Sequence, residues 1–182
     1  MARLPFVQRE DIPEELQYVW DRNTTDGVMP DIFRVMGNNP VVWRSYLRMG
    51  NGLWTACGLD VRTRELVILR VAILQHSAYE WHQHVRIGRR AGLRDEEILG
   101  LHHWRASTVY ADAERALLAY IDALAASDHP PAEAHAGLAQ HYPPSTVVGI
   151  NLLAGYYVMT AKFLGAMEVT PEGGFVGWQL NG

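Results

Sequence analysis

The chain has 182 residues, 48% of them hydrophobic and 20% charged, with a formal net charge of −4. That length is enough to bury a sizeable core in one domain over 1–182, and the charge balance carries no footprint for nucleic acid or an anionic membrane surface. A lone cysteine, Cys57, excludes an intrachain disulfide and any CxxC redox pair.

Met1 to Asp11 lacks the apolar core and cleavage pattern of a signal peptide, so a cytoplasmic protein is expected. Pro13, Glu14 and Glu15 supply the proline and acids of a helical first turn, and the stretch from Asn23 to Gly27 ends that helix. Asp31 to Met36 reads as a short helix closed by Gly37. Pro40 opens a longer one, with Val41, Val42, Tyr46, Leu47 and Leu53 as expected core contacts. After a break at Gly58 comes Thr63 to Leu74, apolar on nearly every side and rich in β-branched residues. Such a run could form a buried strand, but its length favours a buried helix.

The next helix runs from about Ser77 to Ala91 and ends at Gly92, a natural left-handed cap. A short helix follows from Arg94, then one from Asp112 to Ala126, which places Ala116, Leu117, Tyr120, Ile121 and Leu124 on one face. Pro131 to Gln140 forms another, and Ser145 is expected to cap a last long helix reaching Leu164. Asn151, Thr160 and Lys162 interrupt that segment, which makes it a core or subunit-interface helix rather than a membrane span. The tail over 170–182, rich in glycine and carrying Trp178, is expected to wrap over a neighbouring surface. The fold class is all-α.

The chemistry concentrates in one helix. Ser77, Glu80, Trp81 and His84 stand at i, i+3, i+4 and i+7 and therefore share a face. His84 is the natural general base or acid, because its unperturbed pKa lies near neutrality. Glu80, one turn before it, either orients the imidazole or carries a second proton. Glu65, arriving from the preceding buried helix, is the candidate for a carboxyl whose pKa desolvation raises. Tyr79 and Trp81 are candidate substrate walls, and Ser77 a candidate substrate contact. Each has a plainer competitor: Ser77 and Glu80 fit a capping box, Glu80 and His84 an exposed ion pair, Glu65 a first-turn acid, and the aromatics a core. His76, His82 and His84 do not have metal-ligand spacing, nor does His102 with His103, so no metal is expected. There is no phosphate-cradling glycine loop or dinucleotide fingerprint, and no cofactor is expected.

Arg64 to Val67, Tyr79-Glu80-Trp81 with His84, Ala91-Gly92-Leu93 with Glu96 to Ile98, and Gly155-Tyr156-Tyr157 together resemble the carboxymuconolactone decarboxylase family, which includes AhpD-like peroxidase partners. The resemblance covers about Pro30 to Leu164. In the AhpD-like branch this helix carries Cys-x-x-Cys-x-x-x-His, with a relay glutamate on the helix before. Registered on His84, the two cysteines are replaced by Ser77 and Glu80, while Glu65 takes the relay position. A serine and a carboxylate cannot form a disulfide, so thiol peroxidase activity is not expected.

The resemblance implies an AhpD-like helical domain, a homo-oligomer (trimer or hexamer), and a small-molecule substrate, with no nucleic acid or membrane partner. The activity it implies is that of a cofactor-independent acid–base lyase acting on a carboxylated lactone or related activated acid. The same groups would serve a dehydratase, isomerase or cyclase in a biosynthetic pathway. A non-catalytic, ligand-binding helical oligomer is the reading from a different class.

Overall fold

The computed structural model describes residues 2–25, 27–174 and 176–180. Its helices are α1 (Gln17–Asn23), α2 (Asp31–Met36), α3 (Pro40–Ala56), α4 (Val61–Leu74), α5 (Ala78–Arg90), α6 (Asp95–Gly100), α7 (Asp112–Ala126), α8 (Ala132–Ala139) and α9 (Pro144–Met167). Short 3-10 turns precede α1 and follow α6, and no β-strand forms among the described residues.

Helix α4 is the axis of the bundle. Every residue from Thr63 to Ala72 is buried, enclosed by α5, α7 and α9. The β-branched run that could have made a strand forms a helix because its ends are fixed locally. The Asp60 carboxylate accepts from the Thr63 N–H at 2.9 Å and from the Thr63 hydroxyl at 2.7 Å. At the far end His76, at φ 52°, takes the left-handed conformation that turns the chain into α5. Burying each Val, Leu or Ile of α4 contributes roughly 1.5–3 kcal/mol relative to exposure. The all-round burial of this helix thus anchors the fold.

Electrostatics ties the next helices to α4. Glu97 and Glu114 each accept from the backbone N–H of the N-cap residue before their own helix, Arg94 and Ala111 respectively, both at 2.8 Å. Arg62 at the start of α4 bonds both carboxylates, so one guanidinium registers α6 and α7 against the central helix.

Helix α9 is long and apolar enough to cross a membrane by length and composition. Ile150, Leu153, Ala154, Tyr156, Tyr157, Ala161 and Leu164 are nevertheless buried against the rest of the chain, as in a core helix. It approaches α3 closely because of two glycines. A Cβ on Gly149 would lie 2.1 Å from the Cys57 carbonyl oxygen, and one on Gly50 would lie 2.4 Å from the Tyr156 hydroxyl.

Two expectations are corrected. Val41 and Val42 are exposed, at 53% and 61%, and Trp43 enters the core instead, because the helix begins at Pro40 with its first turn at the surface. Ser145 does not cap α9: Pro143 holds that position, with Pro144 as the first helical residue. The tail, expected to wrap over a neighbouring surface, packs on α5, where Arg86 donates to the Gly174 carbonyl and Arg89 to the Val176 carbonyl.

Candidate active site

Helices α4 and α5 leave their tight turn antiparallel and closely packed, which brings Glu65 and His84 together across 19 positions of sequence. His84 Nδ1 lies 2.6 Å from Glu65 Oε2. On the other side of the ring, His84 Nε2 lies 3.4 Å from Glu80 Oε2. The three groups form a file, Glu65–His84–Glu80, with exposures of 0%, 5% and 5%.

The carboxyls sit in different surroundings. Glu65 Oε1 meets the Arg64 guanidinium at 3.2 Å, so Glu65 has a cation on one oxygen and an imidazole on the other. No arginine pairs with Glu80 among the described residues: burial pushes its pKa up to about 7, the neighbouring imidazole opposes that rise, and the Glu65 charge adds to it. Glu80 is thus a carboxyl of this file whose pKa burial raises.

Aromatic rings hold the file in place. Arg64 also donates to the Trp54 carbonyl at 2.7 Å and stacks on the Trp54 ring at 4.2 Å. Trp54 Nε1 donates to the Tyr157 hydroxyl at 2.8 Å. The Tyr157 ring meets His84 edge-on at 5.1 Å. Burial and the two nearby carboxylates push the Tyr157 phenol well above its ordinary value, which keeps it neutral. Tyr46 stacks on Tyr156 at 4.6 Å. The Thr160 hydroxyl spends its proton on the Tyr156 carbonyl at 2.8 Å, so Tyr46 is the donor in its 2.9 Å bond to Thr160.

Glu80, His84 and Tyr157 open on a cavity of about 880 Å³, walled by α1, the start of α2, α3, α5 and α9. Glu65 lies beneath His84, out of reach of a ligand there. Of the other residues expected at the site, Tyr79 lines the cavity, its hydroxyl donating to Glu172 at 2.8 Å and accepting from the Ile32 N–H at 3.3 Å. Ser77 does not reach it: it is the N-cap of α5, accepting from the Glu80 N–H at 3.4 Å. Trp81 is turned the other way, into the core with Leu66, Leu69 and Val85. Glu80 and Trp81 stand about 100° apart at opposite edges of the arc these four positions cover, one turned to the cavity and the other to the core, so sharing a face did not mean sharing a site.

Sequence reasoning passed over Trp54 and Arg64, and also Arg44 and Arg48, which line the cavity from α3. The spacing of Arg44, Arg48, Asn51 and Trp54 at i, i+4, i+7 and i+10 is the signal that could have found that wall. Among the described residues, no group of three or more His, Cys, Asp or Glu side chains is placed to hold a metal ion.

The bundle defines the chain as an AhpD-like helical protein. It superposes on the AhpD core of a peroxidase-related protein from Ralstonia eutropha JMP134 with a TM-score of 0.83, at 15% identity over 94% of this chain and 92% of that one. A protein of unknown function from Agrobacterium tumefaciens matches with a TM-score of 0.72, at 26% identity over 75% of this chain and 94% of that one. The debrominase Bmp8, solved as a cysteine-to-alanine variant with 2,3,4-tribromopyrrole, matches with a TM-score of 0.79, at 19% identity over 94% and 92%. No curated protein matches. Residues 40–123 match the model of the carboxymuconolactone decarboxylase family, a span that includes Glu65, Glu80 and His84.

Proposed function

We propose that this protein is an acid–base lyase that moves protons to and from carbon, needing no cofactor, on a substrate held in the 880 Å³ cavity. The observation that carries the reading is the buried file Glu65–His84–Glu80, whose last two members face that cavity. Glu65 accepts from His84 Nδ1–H and so leaves Nε2 with its lone pair toward the substrate, able to take a proton from carbon. Glu80, whose pKa burial raises to about 7, holds its proton in a sizeable fraction of molecules near neutrality and returns it to carbon or to a departing oxygen. Tyr157, a neutral phenol beside them, can donate to the enolate oxygen that develops between the two transfers.

Decarboxylation of a carboxylated lactone is the prototype. The carboxylate leaves as carbon dioxide, its electron pair enters a dienolate, and Glu80 protonates carbon. The size of the cavity favours a larger substrate. Its volume equals that of roughly 30 waters in the liquid, and a monocyclic lactone would leave most of it to solvent. Dehydration, isomerisation or cyclisation of a bulkier intermediate fills it better and uses the same groups: His84 removes a proton from carbon while Glu80 protonates the leaving hydroxyl, which departs as water.

The homo-oligomer belongs to this proposal. Val148, Leu152 and Met159 on α9 are exposed at i, i+4 and i+11, an apolar stripe suited to a second copy, and equilibrium sedimentation tests it.

The reaction is tested with 4-carboxymuconolactone, following carbon dioxide, and in deuterium oxide with β-hydroxy acids and enones, following deuterium at carbon. Wild type, Glu80→Gln and His84→Ala are run side by side. Turnover that both folded variants lose supports the assignment. A wild type that neither releases carbon dioxide nor exchanges carbon-bound hydrogen above buffer overturns it.

A further inference from the structure

Helix α3 places Arg44 and Arg48 one turn apart, both on the wall of the 880 Å³ cavity. Like charges at i, i+4 repel, and helices usually offset them with a nearby acid. α3 contains no aspartate or glutamate, and no carboxylate among the described residues lies within ion-pair distance of either guanidinium. Arg44 goes further: its Nε is buried and has no hydrogen-bond partner among the described residues. A guanidinium offers five donors in a planar fork matched to an oxyanion, and a buried donor left unmade is costly. Arg22 of α1 lines the same cavity. The site's other arginine, Arg64, is by contrast fully engaged by Glu65, the Trp54 carbonyl and the Trp54 ring.

The rest of the lining sets what the anion is attached to. Phe33, Leu47, Trp54 and Ile87 line the same cavity and give it apolar and aromatic walls. From this juxtaposition we infer that Arg44 and Arg48 form an oxyanion subsite, which anchors a carboxylate or phosphate at one end of an apolar substrate whose other end meets Glu80 and His84. The inference rests on the reading that substrate occupies this cavity, and it adds specificity-determining residues from a helix that carries none of the proton-transfer groups. Anchoring at a distance from the reacting carbon also gives the large cavity one productive orientation of its ligand.

The test separates the subsite from the chemistry, because it reads binding alone. Isothermal titration calorimetry is run with 2-naphthoate, 2-naphthyl phosphate and the uncharged 2-naphthylmethanol, which share one apolar body. Wild type should bind at least one anion about tenfold or more tightly than the alcohol, as one charge-assisted pair implies. Whichever anion shows the preference identifies the source of the charge. Raising sodium chloride from about 50 to about 500 mM should reduce that preference. Arg48→Gln, at an exposed position that folding tolerates, should reduce it several-fold; Arg44→Gln should do the same, and the exposed Arg90→Gln should leave it unchanged. His84→Ala should keep the preference, so a failed proton-transfer assay would not count against the subsite. Equal binding of the three probes, a preference that survives both Arg44→Gln and Arg48→Gln, or no binding of either anion would overturn the inference.

Discussion

The Nδ1 atom of His84 sits 2.6 Å from Oε2 of Glu65, a carboxylate with no exposed surface. Because the other Glu65 oxygen is engaged by Arg64, the ring has one acceptor on its Nδ1 side and little freedom to rotate away from it. The hydrogen bond thereby selects the Nδ1–H tautomer of the neutral ring and directs Nε2 toward Glu80 and the cavity. Glu65 is a positioning residue, one layer removed from any ligand.

Glu65→Gln should separate positioning from packing. A glutamine keeps the volume, but its amide can present N–H to Nδ1 and so favour the opposite tautomer. Long-range proton–nitrogen NMR should then show His84 shifting from Nδ1–H toward Nε2–H, with kcat falling by about 100-fold or more while KM changes little. Loss of the carboxylate also leaves Arg64 without its charge partner, at a cost of about 3–5 kcal/mol as for other broken buried pairs. An unaltered tautomer with an unaltered kcat would remove Glu65 from the mechanism.

Glu80 makes stability depend on pH in an unusual direction for a carboxyl. Its pKa is about 7 in the folded chain against an ordinary 4.5, so the folded state holds a proton that the unfolded state releases. That contribution is fully present below the unfolded value and is lost as pH rises through about 7, by an amount on the order of 3 kcal/mol. Urea melts of wild type between about pH 5 and pH 8 should show stability falling with pH, and Glu80→Gln should flatten the slope. Activity that needs Glu80 as an acid should decline over the same alkaline limb. Parallel stability profiles for the two proteins would show that Glu80 is not the group responsible.

Periodicity and caps made most of the helical order legible in the sequence: Asp31 to Met36 and Asp112 to Ala126 coincide with α2 and α7, and Gly92 turns at φ 94° after α5. The pair Glu80 and His84 was legible as one turn of helix, and Glu65 through the family's motif. What could not be read was the direction in which neighbouring environments act. That Arg64 folds back onto Glu65, its own neighbour, was not legible, because consecutive helix residues do not ordinarily face each other. Trp81 and Tyr79 alternate between core and cavity for a similar reason, since only the packing of α4 and α9 decides which side of α5 is walled.

Gly50 should prove as sensitive as a core residue despite having no side chain. A Cβ there would stand 2.4 Å from the Tyr156 hydroxyl and 2.9 Å from its ring carbon, so Gly50→Ala must push Tyr156 or α3 aside. Tyr156 donates to the Tyr46 carbonyl at 3.2 Å and stacks on the Tyr46 ring, both of which the displacement would disturb. The expected destabilisation is about 1–3 kcal/mol by urea denaturation, as for other overpacked cores. Gly52, with open space around the same atom, provides the comparison: Gly52→Ala should be neutral or mildly stabilising because alanine favours the helix. Equal effects at the two positions would mean that α3 and α9 are not held at this spacing.

Glu172 joins the tail to the cavity wall, since one of its carboxylate oxygens accepts both from Tyr79 at 2.8 Å and from Gln83 Nε2 at 2.9 Å. Two wall residues are thus fixed by one acceptor from a segment that Arg86, Arg89 and Trp81 of the same helix also bond. Glu172→Ala should loosen the tail locally without unfolding the bundle. Limited proteolysis should cut within 170–180 several-fold faster, amide exchange over α4 should stay unchanged, and binding of a cavity ligand should weaken through less ordered Tyr79 and Gln83 side chains. Proteolysis and binding both at wild-type levels would show that the remaining contacts of the tail, with Arg86, Arg89, Trp81 and the core around Val176, fix it without Glu172 and that Glu172 does not order the wall.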